Sequence, residues 1–503
     1  MEEQQDKNYS RISGQVIFSN SLLLFTILIS PALLALLTRV LSVEDYGVYS
    51  LLSAFVSLLA LGLVFGMSNF ILARLPGQAK EVQAKKFWKI VFFDVIVVLL
   101  ILLSLYFTPF KAWFLNFTNL TAYSTEFGIC LLLIFFLSMT KLFFEFFSAR
   151  KQMNFVNTMD FLVSKGWMLL LFGLFFLFKS FTLSHVLLIW LAGVVLSVLI
   201  YFIRSFSDLK LFFHERFSSP VVKKALYFGL PLVPVVIAGW FISISDRFLI
   251  NYFMSASAVG LYTLPYSLLG TIKTVSASAS VVIMPYFAEA RNTGKDSVKL
   301  ISASLKFGFL IAIPCLVGGF ILREPVILLI SGEKYLSSVP VLIPLLLFPL
   351  FYFVSSVFCS GLLVAGETKH IAGAYGLAAI SNIGLNWVLI PRFELIGAAV
   401  ATTVSYFIMV TYMHIIFRRH CKIDYAFVKI PKILLSGLVM GLVIYFIPVS
   451  SHIWTFISIA IGGAVYGIML LVLKVLSKKE IKMVFSKIPL VRNIVNSFVD
   501  RLL

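Results

Sequence analysis

The sequence predicts an all-α integral membrane protein of about fourteen transmembrane helices, built as two parallel-repeat six-helix bundles around a central cavity plus two C-terminal helices. Three observations predict it. Apolar runs long enough to cross a bilayer recur from end to end, Lys and Arg collect in every second connecting segment, and one offset of 213 residues carries the first six runs onto the next six.

The apolar runs come first because the bulk composition already demands them. Of 503 residues 60% are hydrophobic and 13% charged, against about 25% charged in a soluble domain. A water-soluble fold of this size needs more polar surface than that. A helix crosses the hydrocarbon core in about 20 apolar residues. Runs of that kind occupy 16–41, 47–73, 88–107, 124–148, 158–178 and 182–203, and again 225–245, 259–287, 301–322, 339–365, 371–390 and 395–417. Two more lie at 430–447 and 453–473. The polar segment 1–15 is a cytoplasmic tail, and with no A-x-A-like exit after the first run that run reads as a retained span.

The domain reading follows from the same boundaries. An N-lobe covers 16–204, a cytoplasmic inter-lobe loop 205–224, a C-lobe 225–417, the two extra spans 430–473, and an amphipathic cytoplasmic tail 475–503. In that tail Val491, Ile494, Val495, Phe498 and Leu502 recur at helical spacing between polar residues, the pattern of a helix lying on a membrane surface. The segment LKLFFHERF at 209–217 has the same character.

Orientation comes from the basic residues. With the N-terminus inside, inner segments and tails hold about 30 Lys and Arg and outer segments about 7, namely Arg39, Lys111, Lys179, Arg247, Arg323, Lys334 and Arg392. Cytoplasmic loops collect such residues, so both termini are expected in the cytoplasm of a bacterial inner membrane. The same bias accounts for the net charge of +19, and no basic domain interleaved with aromatics exists to bind nucleic acid. Cys130, Cys315, Cys359 and Cys421 form no CxxC pair and have no His at ligand spacing, so neither a disulfide framework nor a metal site is expected.

The repeat rests on aligning LSVEDYGVYSLL (41–52) with MSASAVGLYTLP (254–265). Gly47 then meets Gly260, Tyr49 meets Tyr262 and Leu51 meets Leu264. Spans 3 to 6 land on spans 9 to 12, and the basic loop 74–89 lands on 288–306. Six spans per unit is even, so the halves share one orientation. Tight turns favour Gly and interfaces favour Tyr whatever the ancestry; the common offset of spans and loop charges is what argues for a repeat.

The motif L-S-x-E-D-Y-G-x-Y at 41–49, S-D-R-F-L-I-N-Y-F at 245–253 leading into A-V-G-L-Y, Met284-Pro285, and G-A-A-V-A-T-T-V-S at 397–405 together resemble the polysaccharide transporter family. That family belongs to the multidrug/oligosaccharidyl-lipid/polysaccharide (MOP) exporter superfamily and includes O-antigen and capsule repeat-unit flippases. The resemblance covers nearly the whole chain. It implies two six-helix bundles in alternating access, carrying an undecaprenyl-pyrophosphate-linked oligosaccharide from the cytoplasmic to the periplasmic leaflet. Partners so implied are that lipid-linked oligosaccharide, membrane lipids, and the glycan polymerase and chain-length machinery. Relatives that flip the peptidoglycan precursor also carry two C-terminal helices bordering a lipid-tail groove, an arrangement similar to spans 13 and 14. Unlike them, this chain has no mid-span basic residue in spans 1 and 2.

An anion crossing hydrocarbon needs compensating cations, so charges inside spans are the informative residues. Lys273 lies about 13 residues after Gly260, roughly 20 Å along span 8 at about 1.5 Å per residue. Its neighbours Thr271, Thr274, Ser276 and Ser278 are hydroxylated, as a cavity wall would be. Phosphate or sugar binding is the functional reading, and an interhelical ion pair the structural one. Lys141 and Lys165 are the further cationic-cavity candidates. Lys141 and Glu145 are spaced to pair on one helix. Asp94, Glu145 and Asp160 are candidates for ion coupling. Asp246, Arg247 and Arg39, at the expected outer ends of spans 7 and 1, are candidates for gating. Trp240, Tyr262 and Tyr266 suit either sugar stacking or an interfacial aromatic belt.

No enzyme signature is present: G-x-x-x-x-G-K-[ST], D-x-D, H-E-x-x-H and G-x-S-x-G are all missing, and the outer loops are short. A non-enzyme without cofactor is therefore expected. The rivals are a multidrug exporter of the same superfamily and a membrane glycan polymerase or ligase.

Overall fold

The computed structural model of the protein describes residues 2–178, 181–212, 219–273, 297–420, 423–449 and 451–476. The tail beyond 476, residues 213–217 of the central loop, Cys421, and the second half of span 8 with Met284-Pro285 lie outside the described residues. Those that are described hold helices and turns but no strand.

The first helix, α1 (Glu2–Val40), continues from the polar tail into span 1 without a break. At the next, α2 (Val43–Gly62), the Ser42 hydroxyl accepts the Asp45 N–H at 3.0 Å, so the L-S-x-E-D run is a helix cap. The chain then turns through Phe65 (φ 50°) and Gly66 (φ 68°) into α3 (Met67–Arg74), making span 2 two helices rather than one. Spans 3 and 4 are α4 (Lys80–Phe107) and α6 (Ser124–Ala149), joined through α5 (Phe110–Phe117). Span 5 is α7 (Met153–Phe161), one wide π turn at Leu162–Gly166, and α8 (Trp167–Phe175). Span 6 is α9 (Leu183–Phe212).

Span 7 differs from the sequence reading by about two turns. Pro231 and Pro234 break the run, since proline supplies no N–H and crowds the preceding turn. A short α10 (Ser219–Gly229) therefore precedes α11 (Val233–Phe253), and Asp246 and Arg247 sit within α11 rather than at its end. The helix α12, described over 256–273, opens at Ser255, whose hydroxyl accepts the Ala258 N–H at 3.2 Å. After it come α13 (Ser297–Ile321), α14 (Arg323–Ser331), α15 (Val339–Leu345) and α16 (Phe348–Ala365). Spans 11 and 12 meet inside α17 (Thr368–Phe417), at Glu394 (φ 50°, ψ −133°) just beyond Pro391. The last described helices are α18 (Tyr425–Val428), α19 (Ile430–Tyr445) and α20 (His452–Val472).

Among the described residues eleven helical segments are long and apolar enough to cross a membrane, and they fall on spans 1 to 6, 9, 10, 11 with 12 as one, 13 and 14. The α4 helix shows how lipid is met. Phe87, Ile90, Val91, Val98 and Leu102 are buried, whereas Ile96, Leu99, Leu100 and Leu103 are exposed yet apolar. An exposed face of that kind is stable against hydrocarbon, not water.

Two compact units are distinguished, Met1–Thr271 with Tyr375–Ser405, and Ile272–Ala374 with Tyr406–Leu503. In the first, an aromatic core stacks Phe87 on Phe146 (3.9 Å, 12°) and Phe143 on Tyr201 (5.4 Å, 7°), with Met67, Ile71 and Trp88 around them. Here α2 and α12 cross at small residues: a Cβ on Gly47 would collide with the Ala256 carbonyl, and one on Gly260 with the Val43 carbonyl. Near this crossing the Ser50 and Thr263 hydroxyls lie 2.8 Å apart. Each of the pairs Ser42 and Ser255, Val43 and Ala256, Gly47 and Gly260, Ser50 and Thr263 is separated by the offset of 213.

In the second unit the last two spans pack on α13. Ile313, Leu322, Ile433, Met440, Ile444, Tyr466 and Leu470 form the core. Gly437 and Gly441 let Ile313, Val317 and Ile321 approach closely, the small-residue packing that brings helices together in lipid. The Tyr466 hydroxyl donates to the Leu310 carbonyl at 3.0 Å.

Candidate functional site

Charged residues within the helices gather in two places in the first unit and one in the second. The first is a cleft of about 360 Å³ between α2, α6, α7 and α9, lined by Ser57, Thr140, Lys141, Phe144, Asp160 and Tyr201, with Ala60, Leu61, Leu137 and Val163 as apolar wall. Lys141 reaches it from α6 and donates to buried Glu145 at 2.9 Å, the expected pair one turn apart. Phe144 lies beneath the same ammonium at 5.0 Å. Asp160 enters from the end of α7. The cleft thus offers a cation, a carboxylate and hydroxyls against an apolar wall, the make-up of a polar ligand site.

Lys165 stands on the π turn five residues after Asp160, half-buried and outside the lining of that cleft. Asp94 is fully buried on α4, and neither of its carboxyl oxygens has a hydrogen-bond partner among the described residues. Arg39 is exposed in the last turn of α1.

The second place joins α11, α12 and α17. Asp246 is fully buried and accepts from the Tyr262 hydroxyl at 2.5 Å, from Thr402 Oγ1 at 3.3 Å and from the Arg247 N–H at 2.9 Å. Earlier on α17, before the Glu394 kink, Asn382 Oδ1 accepts from Ser245 at 3.0 Å and from Asn386 at 3.1 Å. Both asparagines are fully buried, and each keeps one amide atom without a hydrogen-bond partner among the described residues. Arg247 lies 5.7 Å from the centre of the Tyr266 ring. Tyr262 and Tyr266 stack (6.0 Å, 27°), and Trp240 donates its indole N–H to Ala54 O and Ser57 Oγ at 3.2 and 3.1 Å. All three aromatics are buried in this conformation. A lone carboxyl ringed by hydroxyls and amides can hold a proton or a small monovalent cation.

The third is Lys273, half-buried near the described end of α12. Its ammonium is 4.6 Å from the centre of the Tyr352 ring and 5.9 Å from those of Phe348 and Tyr406. Three rings from α16 and α17 so face one cation, a geometry that stabilises charge away from water.

The fold brings Asp246, Arg247, Tyr262 and Tyr266 together, and Lys141, Glu145 and Asp160 together, while Trp240 is bonded to Ser57 of the first cleft. Lys165, Asp94 and Arg39 do not line the first cleft. Thr402, Asn382, Asn386 and Ser57 are partners that sequence reasoning missed. The two asparagines did carry a signal, being uncharged polar residues four apart inside the apolar run 371–390.

The family described as polysaccharide biosynthesis protein matches residues 36–340. A Haloferax volcanii protein assigned as the low-salt glycan biosynthesis flippase Agl15 is 24% identical over 261 residues, covering 50% of this chain and 55% of that protein. A Shigella flexneri protein assigned as an O-antigen transporter is 22% identical over 251 residues, 49% and 59% of the two chains. The chain therefore spans little more than half the length of these relatives. Among solved structures, lipid II flippase MurJ in an inward closed conformation aligns with a TM-score of 0.73 at 17% identity, over 90% of this chain and 98% of that one. An inward-facing multidrug resistance transporter of the MATE family of the MOP superfamily aligns with a TM-score of 0.62 at 14% identity, over 80% and 98%. At such identities the likeness is one of fold.

Proposed function

This chain belongs to the family of polysaccharide biosynthesis proteins, and we propose that it is a flippase for lipid-linked oligosaccharides in a bacterial inner membrane. Its cargo is an undecaprenyl-pyrophosphate-linked repeat unit of a surface polysaccharide, moved from the cytoplasmic to the periplasmic leaflet by alternating access. Both termini lie in the cytoplasm, and the glycan polymerase and chain-length machinery receive the product.

The observation that carries the reading is the cleft holding Lys141 and Asp160 at membrane depth. Even a paired charge is disfavoured in hydrocarbon by several kcal/mol, so a chain that only had to reside in lipid has little use for one there. A pyrophosphate group needs a cation at that depth, and its sugars need carboxylate and hydroxyl partners. Lys141 supplies the first, while Asp160, Ser57, Thr140 and Tyr201 supply the second. Lys273 is the corresponding cation of the second unit. Asp246 with Tyr262 and Thr402 is the group to which an ion-coupling or gating role falls, and Asp94 is a second candidate for coupling.

The test is deletion of the gene in its host, followed by extraction of membrane lipids. The expected result is that a lipid-linked oligosaccharide accumulates while the surface polysaccharide disappears. Complementation by Lys273→Arg and Lys141→Arg should restore export at equal protein level, and Lys273→Ala and Lys141→Ala should not. No accumulation, together with new sensitivity to cationic drugs, overturns the flippase in favour of an exporter.

A further inference from the structure

A second, larger cleft of about 680 Å³ opens where α4 begins and α6 ends, lined by Lys80, Arg150, Lys151 and Arg204 with the amides of Gln15, Gln78, Gln83, Gln152 and Asn154. The loop charges assign this end of the helices to the cytoplasm. We propose that this cleft is a seat for a phosphate or diphosphate anion at the inner membrane surface, separate from the charges at membrane depth.

Four cations line the cleft and no carboxylate does. Outside the lining, Asp208 is held by Arg150 in a two-pronged pair at 2.6 and 3.2 Å. The rest of the Arg150 guanidinium is also engaged, by Gln83 Oε1 at 3.4 Å, the Lys80 carbonyl at 3.1 Å and the face of Phe146 at 4.2 Å. Arg150 is therefore the wall of the cleft, fastening the start of α4 to the ends of α6 and α9. Lys80, Lys151 and Arg204 remain, and among the described residues none of them has a carboxylate partner. Arg204 donates to Gln152 Oε1 at 3.2 and 3.3 Å and lies over the ring of Phe155, contacts that aim it without neutralising it.

The backbone points the same way. Lys151 has φ 58°, in the left-handed region, which disfavours a side-chain-bearing residue by about 1–2 kcal/mol. Glycine or asparagine would suit that turn better. A lysine held there, with its carbonyl accepting from Gln15 of α1 at 3.3 Å, places a charge at the cost of local strain. A solvated cationic face needs neither the strain nor the fixed guanidinium. Phosphate matches both, because Arg and Lys donors meet its oxygens in charge-assisted hydrogen bonds. Two sources share that chemistry, the diphosphate of a lipid-linked cargo and the headgroup of an anionic phospholipid. Only the first depends on the flippase reading.

The experiment titrates the full chain, in an uncharged detergent, with inorganic pyrophosphate by calorimetry at low and high salt. Farnesyl diphosphate and dihexanoylphosphatidylglycerol serve as competitors. Pyrophosphate should bind, and the triple variant Lys80→Gln/Lys151→Gln/Arg204→Gln should bind it roughly tenfold more weakly. Lys151→Gly should weaken binding while melting no lower than the parent, since glycine relieves the left-handed strain. Competition by farnesyl diphosphate alone identifies the cargo diphosphate as the occupant, and competition by the phospholipid alone identifies the lipid headgroup. Absence of pyrophosphate binding, or binding unchanged in the triple variant, overturns the seat while leaving the flippase untouched. Conversely, a deletion strain that accumulates no lipid-linked glycan overturns the flippase and leaves the anion binding as measured.

Discussion

Gly47 and Gly260 lie backbone against backbone where α2 crosses α12, and a methyl group on either would overlap a carbonyl oxygen of the other helix. No side chain can move aside to relieve that overlap. Gly47→Ala and Gly260→Ala should each destabilise the protein by about 1–3 kcal/mol, the usual range for overpacking. The measurement is thermal melting in detergent, with Gly62→Ala as the control, because nothing lies within 4 Å of a Cβ there. Equal melting of Gly47→Ala and Gly62→Ala would refute the close crossing.

That crossing also marks what was legible in the sequence. The offset of 213 was visible in the matching of Gly47 with Gly260 and Tyr49 with Tyr262, and the spans follow it. What it could not convey is that equivalent residues touch each other. Equivalence says that two helices have the same design, whereas contact requires them to cross at that design's thinnest point. The helix breaks were partly hidden too. Pro231 and Pro234 could have moved the start of α11, but the apolar run continues through them and concealed the break. The site was legible where charge interrupted an apolar run, as at Lys141, Asp160, Asp246 and Lys273. It was illegible where the partner was a hydroxyl or amide, because Thr402 and Asn382 look like ordinary small polar residues until a carboxyl is folded against them.

Asp246 and Tyr262 provide a test of that polar network. The tyrosine hydroxyl donates to the buried carboxyl and also lies 3.0 Å from Thr402 Oγ1. Tyr262→Phe removes one donor yet leaves Thr402 and the Arg247 N–H on Asp246. A loss of about 1–2 kcal/mol is expected, the usual worth of a buried hydrogen bond to a group of this kind. Asp246→Ala strands Tyr262, Thr402 and Arg247 at once and should be lowered further. In a Tyr262→Phe/Asp246→Ala double variant the two losses should fall short of their sum. Additive losses would mean that the two side chains do not interact.

Arg150 and Asp208 form the tightest ion pair among the described residues, with side chains only 12% and 16% exposed. Removing the cation leaves a largely buried carboxylate and frees Gln83 and the start of α4. Arg150→Met should therefore lower stability by about 2–4 kcal/mol. Asp208→Asn, which keeps a hydrogen-bond acceptor, should lose less. Restoration of part of the loss in Arg150→Met/Asp208→Leu would identify the stranded charge as the cause. A double variant as unstable as the two single losses combined would place the cause in the lost packing on Phe146 instead.

Lys273 distinguishes the ring from the hydroxyl as its support. Tyr352 is the nearest of its three aromatic neighbours, and an ammonium over a ring is worth about 0.5–2 kcal/mol when partly withdrawn from water. The attraction comes from the face of the ring, so Tyr352→Phe should retain both stability and glycan export. Tyr352→Leu removes the negative face while keeping an apolar side chain beside Phe348 and Tyr406, which themselves pack at 4.9 Å. It should melt lower by about 1 kcal/mol and export less at equal protein level, because the ammonium loses its fixed direction. Parallel melting curves and export assays on the two variants decide the matter. If Phe fails as badly as Leu, the hydroxyl positions Lys273; if both behave like the parent, the rings only fill space around it.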